Sequence, residues 1–253
     1  TENKVLKKKI IKIIEKFKLK YSISHFKISV LKEIPIHNGL GSGTQLALSL
    51  GYLISKFNNI DISVDQISHL LNRGLRSGVG IMSFKRGGFN IDVGKLVGSP
   101  NPPLNILNLK WPKEWKILLI LDKNRIGIHG KKEIEEFKQL SVRTKNQPNL
   151  NYKALVMNII PGLLEKNFNE FSKGVRIIQD NMSKSFHGGA NKFASREIEK
   201  IFSFIKKKKI QSFGQSSWGP TGFLFFENSK KRNLLLKHIE NYINLNDMFD
   251  VKL

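Results

Sequence analysis

Apolar residues fall at positions 6, 10, 13, 14 and 17, with lysines filling the gaps between them. That spacing lays one apolar stripe along a helix and predicts a helix over residues 5–17. The period then changes. Phe26, Ile28 and Val30 alternate with Lys27 and Ser29, which predicts a strand over 26–31. A longer apolar segment predicts a helix over 46–57. Ser63 followed by Gln66 has the spacing of a capping box, so the next helix is expected to run from 64 to about 72. Residues 81–84 and 89–93 read as two strands joined by a hairpin turn over 85–88. Pro100, Pro102, Pro103 and Pro112 mark residues 98–114 as a loop. The domain boundary is placed there, giving domains 1–112 and 113–253. Beyond it a buried strand is expected at 115–121, a loop at 122–130 and a helix at 131–140. Further helices are expected at 152–165 (kinked near Pro161), 169–182 and 192–208. A strand at 222–227, a helix at 230–243 and a last strand at 248–253 complete the order.

The glycine-rich stretch between the first strand and the second helix carries the most chemistry. It contains Pro35, Gly39, Gly41, Ser42, Gly43, Thr44 and Gln45. Strand, glycine loop and helix together make an anion site. Glycine lets the backbone approach a ligand, and the first helical N–H groups lack internal partners and carry the positive end of the dipole. The spacing fits neither a P-loop nor a dinucleotide fingerprint. A tight turn that simply needs glycine explains the spacing equally well.

A second informative stretch runs from residue 73 to 94. Arg73, Arg76 and Arg86 sit among interleaved glycines in a chain otherwise dominated by lysine. The guanidinium fork matches phosphate or carboxylate in a way that an ammonium does not. Pairing with structural carboxylates is the alternative. Asp92, near the end of the expected strand, is either a carboxylate facing the glycine loop or a strand-end cap for backbone N–H groups. Later in the chain, Ser216 and Ser217 between Gly214 and Gly219 offer donors to an oxyanion. Trp218 suits either aromatic stacking or a core, and His129 reads as a polar loop residue.

Composition narrows the field. The chain has 253 residues, 40% of them hydrophobic, no cysteine and a formal net charge of +23. There is no disulfide framework and no thiolate site. No apolar run approaches a membrane span, and no signal-peptide pattern appears, so a cytoplasmic location is expected. Nucleic acid is one partner that such a charge suits. The lysines are scattered, apart from Lys7, Lys8 and Lys9 and the run 206–209, which read as solvated helix faces. Attraction of a small polyanionic substrate is the preferred reading, without nucleic acid or membrane as partners.

The string Pro-x-x-x-Gly-Leu-Gly-Ser-Gly resembles the second motif of the GHMP superfamily of small-molecule kinases and relatives. Its Gly43-Thr44-Gln45 ending is similar to the beta-ribofuranosylaminobenzene 5'-phosphate synthase branch. So are the arginine-glycine block at 73–94, the segment containing Gly127, Gly130 and Glu133, and the string of residues 214–221. The resemblance covers about 26–226. It implies an α+β fold of GHMP type with two domains and the active site between them. It also implies an upstream segment with a further arginine motif, so the chain is expected to be an N-terminally truncated fragment.

The implied reaction joins phosphoribosyl pyrophosphate to 4-aminobenzoate or 4-hydroxybenzoate. It releases pyrophosphate and carbon dioxide on the way to methanopterin-type carriers. Asp92 and Arg76 are the implied catalytic residues. Gly39, Gly41, Ser42, Gly43, Thr44, Arg73, Ser216 and Ser217 are the implied phosphate-binding set. Mg2+ is the implied cofactor, its ligands unassigned, and a homodimer is compatible with the family. An ATP-dependent GHMP-type kinase and a non-catalytic nucleic-acid-binding protein are the rival readings.

Overall fold

The computed structural model describes residues 3–96, 98–99, 101–122, 127, 135, 148–186, 195–217, 219–239 and 248–251. The chain divides into two compact units. One comprises Thr1–Ile36 and Gly41–Lys110, the other His37–Leu40 and Trp111–Leu253. The break inside the glycine stretch therefore assigns Gly39 to the second unit and Gly41 to the first.

The first unit is a helical layer with a small sheet. Helix α1 is Lys4–Lys18, and Asn3 caps it by accepting from the N–H groups of Val5 and Leu6. Its stripe of Leu6, Ile10, Ile13 and Phe17 is buried against Ala47, Leu48, Leu50 and Ile54 of α2 (Ser42–Phe57). Gly51 lets these helices close up, since a Cβ there would meet Ile67 at 2.5 Å and Phe17 at 3.3 Å. Helix α3 is Val64–Leu70 and carries the expected capping box between Ser63 and Gln66. Helix α4 is Val79–Arg86. Strand β1 (Phe89–Asp92) pairs antiparallel with β2 (Asn105–Leu109), with a register shift between Ile91 and Asp92.

Three expectations fail in this unit. Residues 26–31 do not form a strand. Phe26, Ile28 and Val30 are half-buried against the helical core while Lys27, Ser29 and Leu31 are exposed. The alternation is genuine, but no described strand lies alongside to complete a ladder, and alternation alone does not make one. Residues 81–84 belong to α4 rather than to a hairpin. Four residues cannot distinguish a period of 2 from 3.6, and burial of Ile81 beside Ile67 and Leu71 selects the helix. Gly87, at φ 62° and ψ −153°, then ends it. The proline-rich stretch also contains β2, because Pro102 and Pro103 precede the paired residues and remove no ladder donor.

The second unit is built on an antiparallel sheet in the order β4-β5-β3-β6. These strands are β3 (Lys116–Leu121), β4 (Phe213–Gln215), β5 (Thr221–Phe226) and β6 (Met248–Val251). Alternation sorts the two faces. Leu118, Ile120, Leu224 and Phe226 form one core with Ile198, Ile201, Phe202 and Ile205 of α8 (Arg196–Lys207), together with Leu235 and Ile239 of α9 (Ser229–Ile239). Phe225 lies on the other face, against Trp111 and Phe171 with ring centroids 5.3 Å away in both pairs. Phe171 belongs to α7 (Phe168–Phe186).

The kinked helix expected near Pro161 is α5 (Pro148–Ala154), a π-helical turn Leu155–Ile159, and α6 (Ile160–Leu164). The wide turn lies just before Pro161. Proline lacks the N–H for a regular bond, and its ring crowds the carbonyl four residues back. The helix expected at 131–140 lies outside the described residues, apart from Glu135, and so do His129, Glu133 and Trp218. Among the described residues no helix is long and apolar enough to cross a membrane.

Candidate functional site

Gly41 stands at the N-cap of α2 with φ 68°, a left-handed conformation open to glycine at little cost. A Cβ there would meet nothing within 4 Å, so the requirement is the backbone angle rather than space. Gly41 has no side chain to cap the helix, and the first turn is tied back only by Thr44 and Gln45 N–H groups donating to the Gly41 carbonyl. The side chains of Thr44 and Gln45 face α4. Gln45 Nε2 donates to the Gly80 carbonyl at 2.9 Å, and Gly80 leaves room for the Thr44 methyl. The Gly-Thr-Gln ending thus braces the start of α2 against the start of α4.

Arg73 is brought to the same helix end. Asn72 and Gly74 flank it with φ of 52° and 76°, and its own N–H donates to the Ser68 carbonyl at 2.7 Å. This turn sends the guanidinium back over α2, where Nη1 lies 3.6 Å from where a Gly43 Cβ would be. Arg73 Nε is buried without a hydrogen-bond partner among the described residues. A buried charged donor without an acceptor is costly, which makes this a place an anion would stabilise. Burial lowers the Arg73 pKa.

Lys9 joins this group, although the sequence reading treated it as part of a solvated face. It lines a cavity of about 180 Å3 together with Ser42, Gly43 and Gln45. Burial first, and the charge of Arg73 second, push its ammonium below the ordinary lysine value. Lys32 and Glu33 also line the cavity; the Glu33 carboxylate accepts from Asn3 Nδ2 at 3.3 and 3.4 Å. Lys9 lies on the helical stripe next to Ile10 and Ile13, and only the packing of α1 on α2 shows which lysine of the run is half-buried.

Asp92 is held by three donors. Oδ2 accepts from Ser77 Oγ at 2.7 Å and from the Gly78 N–H at 2.9 Å, and Oδ1 accepts from the Gly94 N–H at 3.2 Å. The register shift just before Asp92 turns its side chain toward this loop. The carboxylate therefore ties the end of β1 to the start of α4, where Gly78 is the N-cap. Arg76 is exposed on the same loop.

The remaining predicted residues lie in the second unit. Ser216 Oγ donates to the Gly39 carbonyl at 2.7 Å. Gly39 has φ 76°, and a Cβ there would lie 2.3 Å from the Ser216 carbonyl oxygen. Gly219 is equally tight against Asn38. The Ser216 hydroxyl is thus used to latch the glycine stretch. Ser217 is exposed with φ 51°, and its carbonyl accepts from Gln215 Nε2 at 2.8 Å.

The residues fit a magnesium ion only as a guest of a substrate. No group of three or more metal-binding side chains occurs among the described residues. Asp92 offers a single carboxylate that already has three donors, so most ligands would be phosphate oxygens and water.

A family model described as the GHMP kinases N terminal domain matches residues 6–89. Among curated proteins, the chain is 30% identical over 213 residues to the beta-ribofuranosylphenol 5'-phosphate synthase of Methanocaldococcus jannaschii. That match covers 78% of this chain and 62% of that protein. The synthase of Methanothermobacter thermautotrophicus is 26% identical over 206 residues, covering 77% and 62%. The chain thus spans about 62% of the length of these relatives. Among solved structures, homoserine kinase from Cytophaga hutchinsonii aligns with TM-score 0.58 at 13% identity, covering 87% of this chain and 66% of that one. Mevalonate diphosphate decarboxylase from Enterococcus faecalis aligns with TM-score 0.58 at 12% identity, covering 98% and 76%. The chain therefore has the α+β fold of the GHMP kinases and is a sequence relative of the archaeal beta-ribofuranosylphenol 5'-phosphate synthases.

Proposed function

We propose that the chain is part of a pentosyltransferase that joins phosphoribosyl pyrophosphate to a 4-substituted benzoate, releasing pyrophosphate and carbon dioxide. The product name of its relatives favours 4-hydroxybenzoate over 4-aminobenzoate as acceptor. The place of this step in methanopterin-type biosynthesis belongs to the same proposal.

The observation that carries the reading is the cationic helix end. The open N–H groups at the start of α2 and the half-buried Lys9 border one small cavity, and Arg73, with its unpartnered Nε, reaches the same helix end beside Gly43. A phosphate or pyrophosphate group there would accept from the helix N–H groups and pair with the charges of Lys9 and Arg73. Breaking the bond between ribose C1 and pyrophosphate leaves an oxocarbenium-like centre and puts two electrons on the leaving group. Lys9, Arg73 and the helix dipole are proposed to stabilise that developing negative charge. The ring carbon bearing the carboxylate then attacks C1. The new carbon–carbon bond forms, the bond to the carboxylate breaks, and its electron pair restores the aromatic ring as carbon dioxide leaves. Asp92 is proposed to hold the Ser77–Gly78 turn, with its charge available to the cationic centre. A bound Mg2+ would add charge neutralisation at the pyrophosphate.

The test is to incubate the purified protein with phosphoribosyl pyrophosphate and carboxyl-labelled 4-hydroxybenzoate. Labelled carbon dioxide, pyrophosphate and a ribosylphenol phosphate should appear in equal amounts. Consumption of ATP without these products would favour the kinase reading instead.

A further inference from the structure

The second unit holds a cavity of about 710 Å3 that includes none of the residues assigned above. It lies among the first turn of α7, the turn between α8 and β4, the end of β5 and the outer face of α9. Phe168, Ile210, Phe225 and Leu234 supply apolar walls. Leu234 is 60% exposed, although it is a large apolar side chain at the cavity mouth. The volume falls within the range of about 300–1,000 Å3 that holds drug-sized ligands.

Two further observations point to what would occupy it. The first is Ser172, a cavity-lining residue only 6% exposed, whose buried Oγ has no hydrogen-bond partner among the described residues. A helical serine commonly returns its hydroxyl to a carbonyl one turn back, and this one does not. A buried unpaired hydroxyl is unfavourable, and a ligand atom in the cavity would relieve it.

The second observation is the charge on the rim. Both carboxylates there are already engaged. Glu170 accepts from Asn158 Nδ2 at 2.8 Å and lies 3.9 Å from Lys173 Nζ, and Glu227 pairs with Lys231. Lys208 and Lys209 also line the cavity and have no carboxylate partner among the described residues. Lys209 adopts φ 59°, which is unfavourable for a lysine and turns the chain at the rim. All four lysines of the run 206–209 are exposed, as a solvated face requires, and the last two border the cavity.

We infer that this cavity binds an amphipathic anion, with an apolar body larger than one benzene ring and a single acidic group held by Lys208 and Lys209. The body would rest on Phe168, Phe225 and Leu234, with a polar atom reaching Ser172.

The probe is 8-anilinonaphthalene-1-sulfonate, a fused aromatic body bearing one sulfonate, titrated into the native protein and followed by fluorescence. One saturable site is expected. The double variant Lys208→Gln and Lys209→Asn should weaken it at least tenfold with unfolding still cooperative, asparagine being chosen because it tolerates positive φ. Ser172→Ala should weaken binding about threefold and leave the free protein at least as stable, since it removes an unpaired hydroxyl. The uncharged analogue N-phenyl-1-naphthylamine should bind the wild type at least tenfold more weakly. Absence of saturable binding overturns the inference. So does unchanged affinity in the lysine double variant, or equal affinity for the uncharged analogue. None of these readings requires ribosyl transfer, so the outcome is independent of the proposed reaction.

Discussion

Replacing Asp92 by asparagine separates a structural tie from a part in the reaction. The carboxylate accepts at 2.7 Å from Ser77 Oγ, at 2.9 Å from Gly78 N–H and at 3.2 Å from Gly94 N–H. The amide has only one oxygen. Its best orientation keeps that oxygen toward Ser77 and Gly78 and points the NH2 at the Gly94 N–H. The longest bond is then lost, and the other two lose their charge assistance. Hydrogen bonds to charged groups contribute about 1.5–3 kcal/mol and neutral ones about 1 kcal/mol, so the expected loss is about 2 kcal/mol on this partly exposed loop. A chain of this size loses roughly 2–4 °C in Tm per kcal/mol, which predicts a drop on the order of 4–8 °C. If the charge also stabilises the cationic centre, turnover per folded molecule should fall about a hundredfold, equivalent to about 2.7 kcal/mol. Thermal unfolding and pyrophosphate release measured on the same sample give both numbers. A Tm unchanged within about one degree would refute the hydrogen-bond reasoning. A lowered Tm with normal turnover would confine Asp92 to holding the loop.

The other predictions concern the helix end and its latch. Arg73→Lys keeps the charge but loses the planar fork and should weaken pyrophosphate binding about tenfold by calorimetry; wild-type affinity would mean that only charge matters there. Lys9→Gln should also weaken pyrophosphate binding. Because burial lowers the Lys9 pKa, the folded chain binds fewer protons there than the unfolded chain between the two pKa values, so this group's contribution favours folding increasingly as pH rises through that window. Binding an anion needs the ammonium, so wild-type affinity should fall as pH rises through the lowered pKa, and the glutamine variant should lack that component. Gly39→Ala combines a 2.3 Å approach to the Ser216 carbonyl with a φ of 76°, and should lower Tm by more than Ser216→Ala, which removes only the latch. A Gly39→Ala protein with wild-type Tm would refute the close approach.

Much of the chain was legible from pattern alone. The stripe of Leu6, Ile10, Ile13 and Phe17 could bury only as a helix, and the short apolar runs expected as strands at 115–121 and 222–227 pair as β3 and β5. Ser63 and Gln66 announced a helix start through local hydrogen bonds that need no distant partner. The glycine stretch, Arg73 and Asp92 were recognisable by residue type and spacing. Tertiary structure decided what local signals leave open. Residues 26–31 alternate like a strand, yet without an adjacent strand they lie as an extended strip on helices. Residues 81–84 satisfy two periods, and burial of Ile81 chose the helix. Ser216 reads as an oxyanion donor by residue type, and only the fold brings the Gly39 carbonyl to accept from its hydroxyl. Lys9 looked like its exposed neighbours until α1 packed on α2 and half-buried it within reach of the charge of Arg73. In each case the deciding contact joins residues far apart in the chain, and a sequence pattern carries no record of which distant group will arrive.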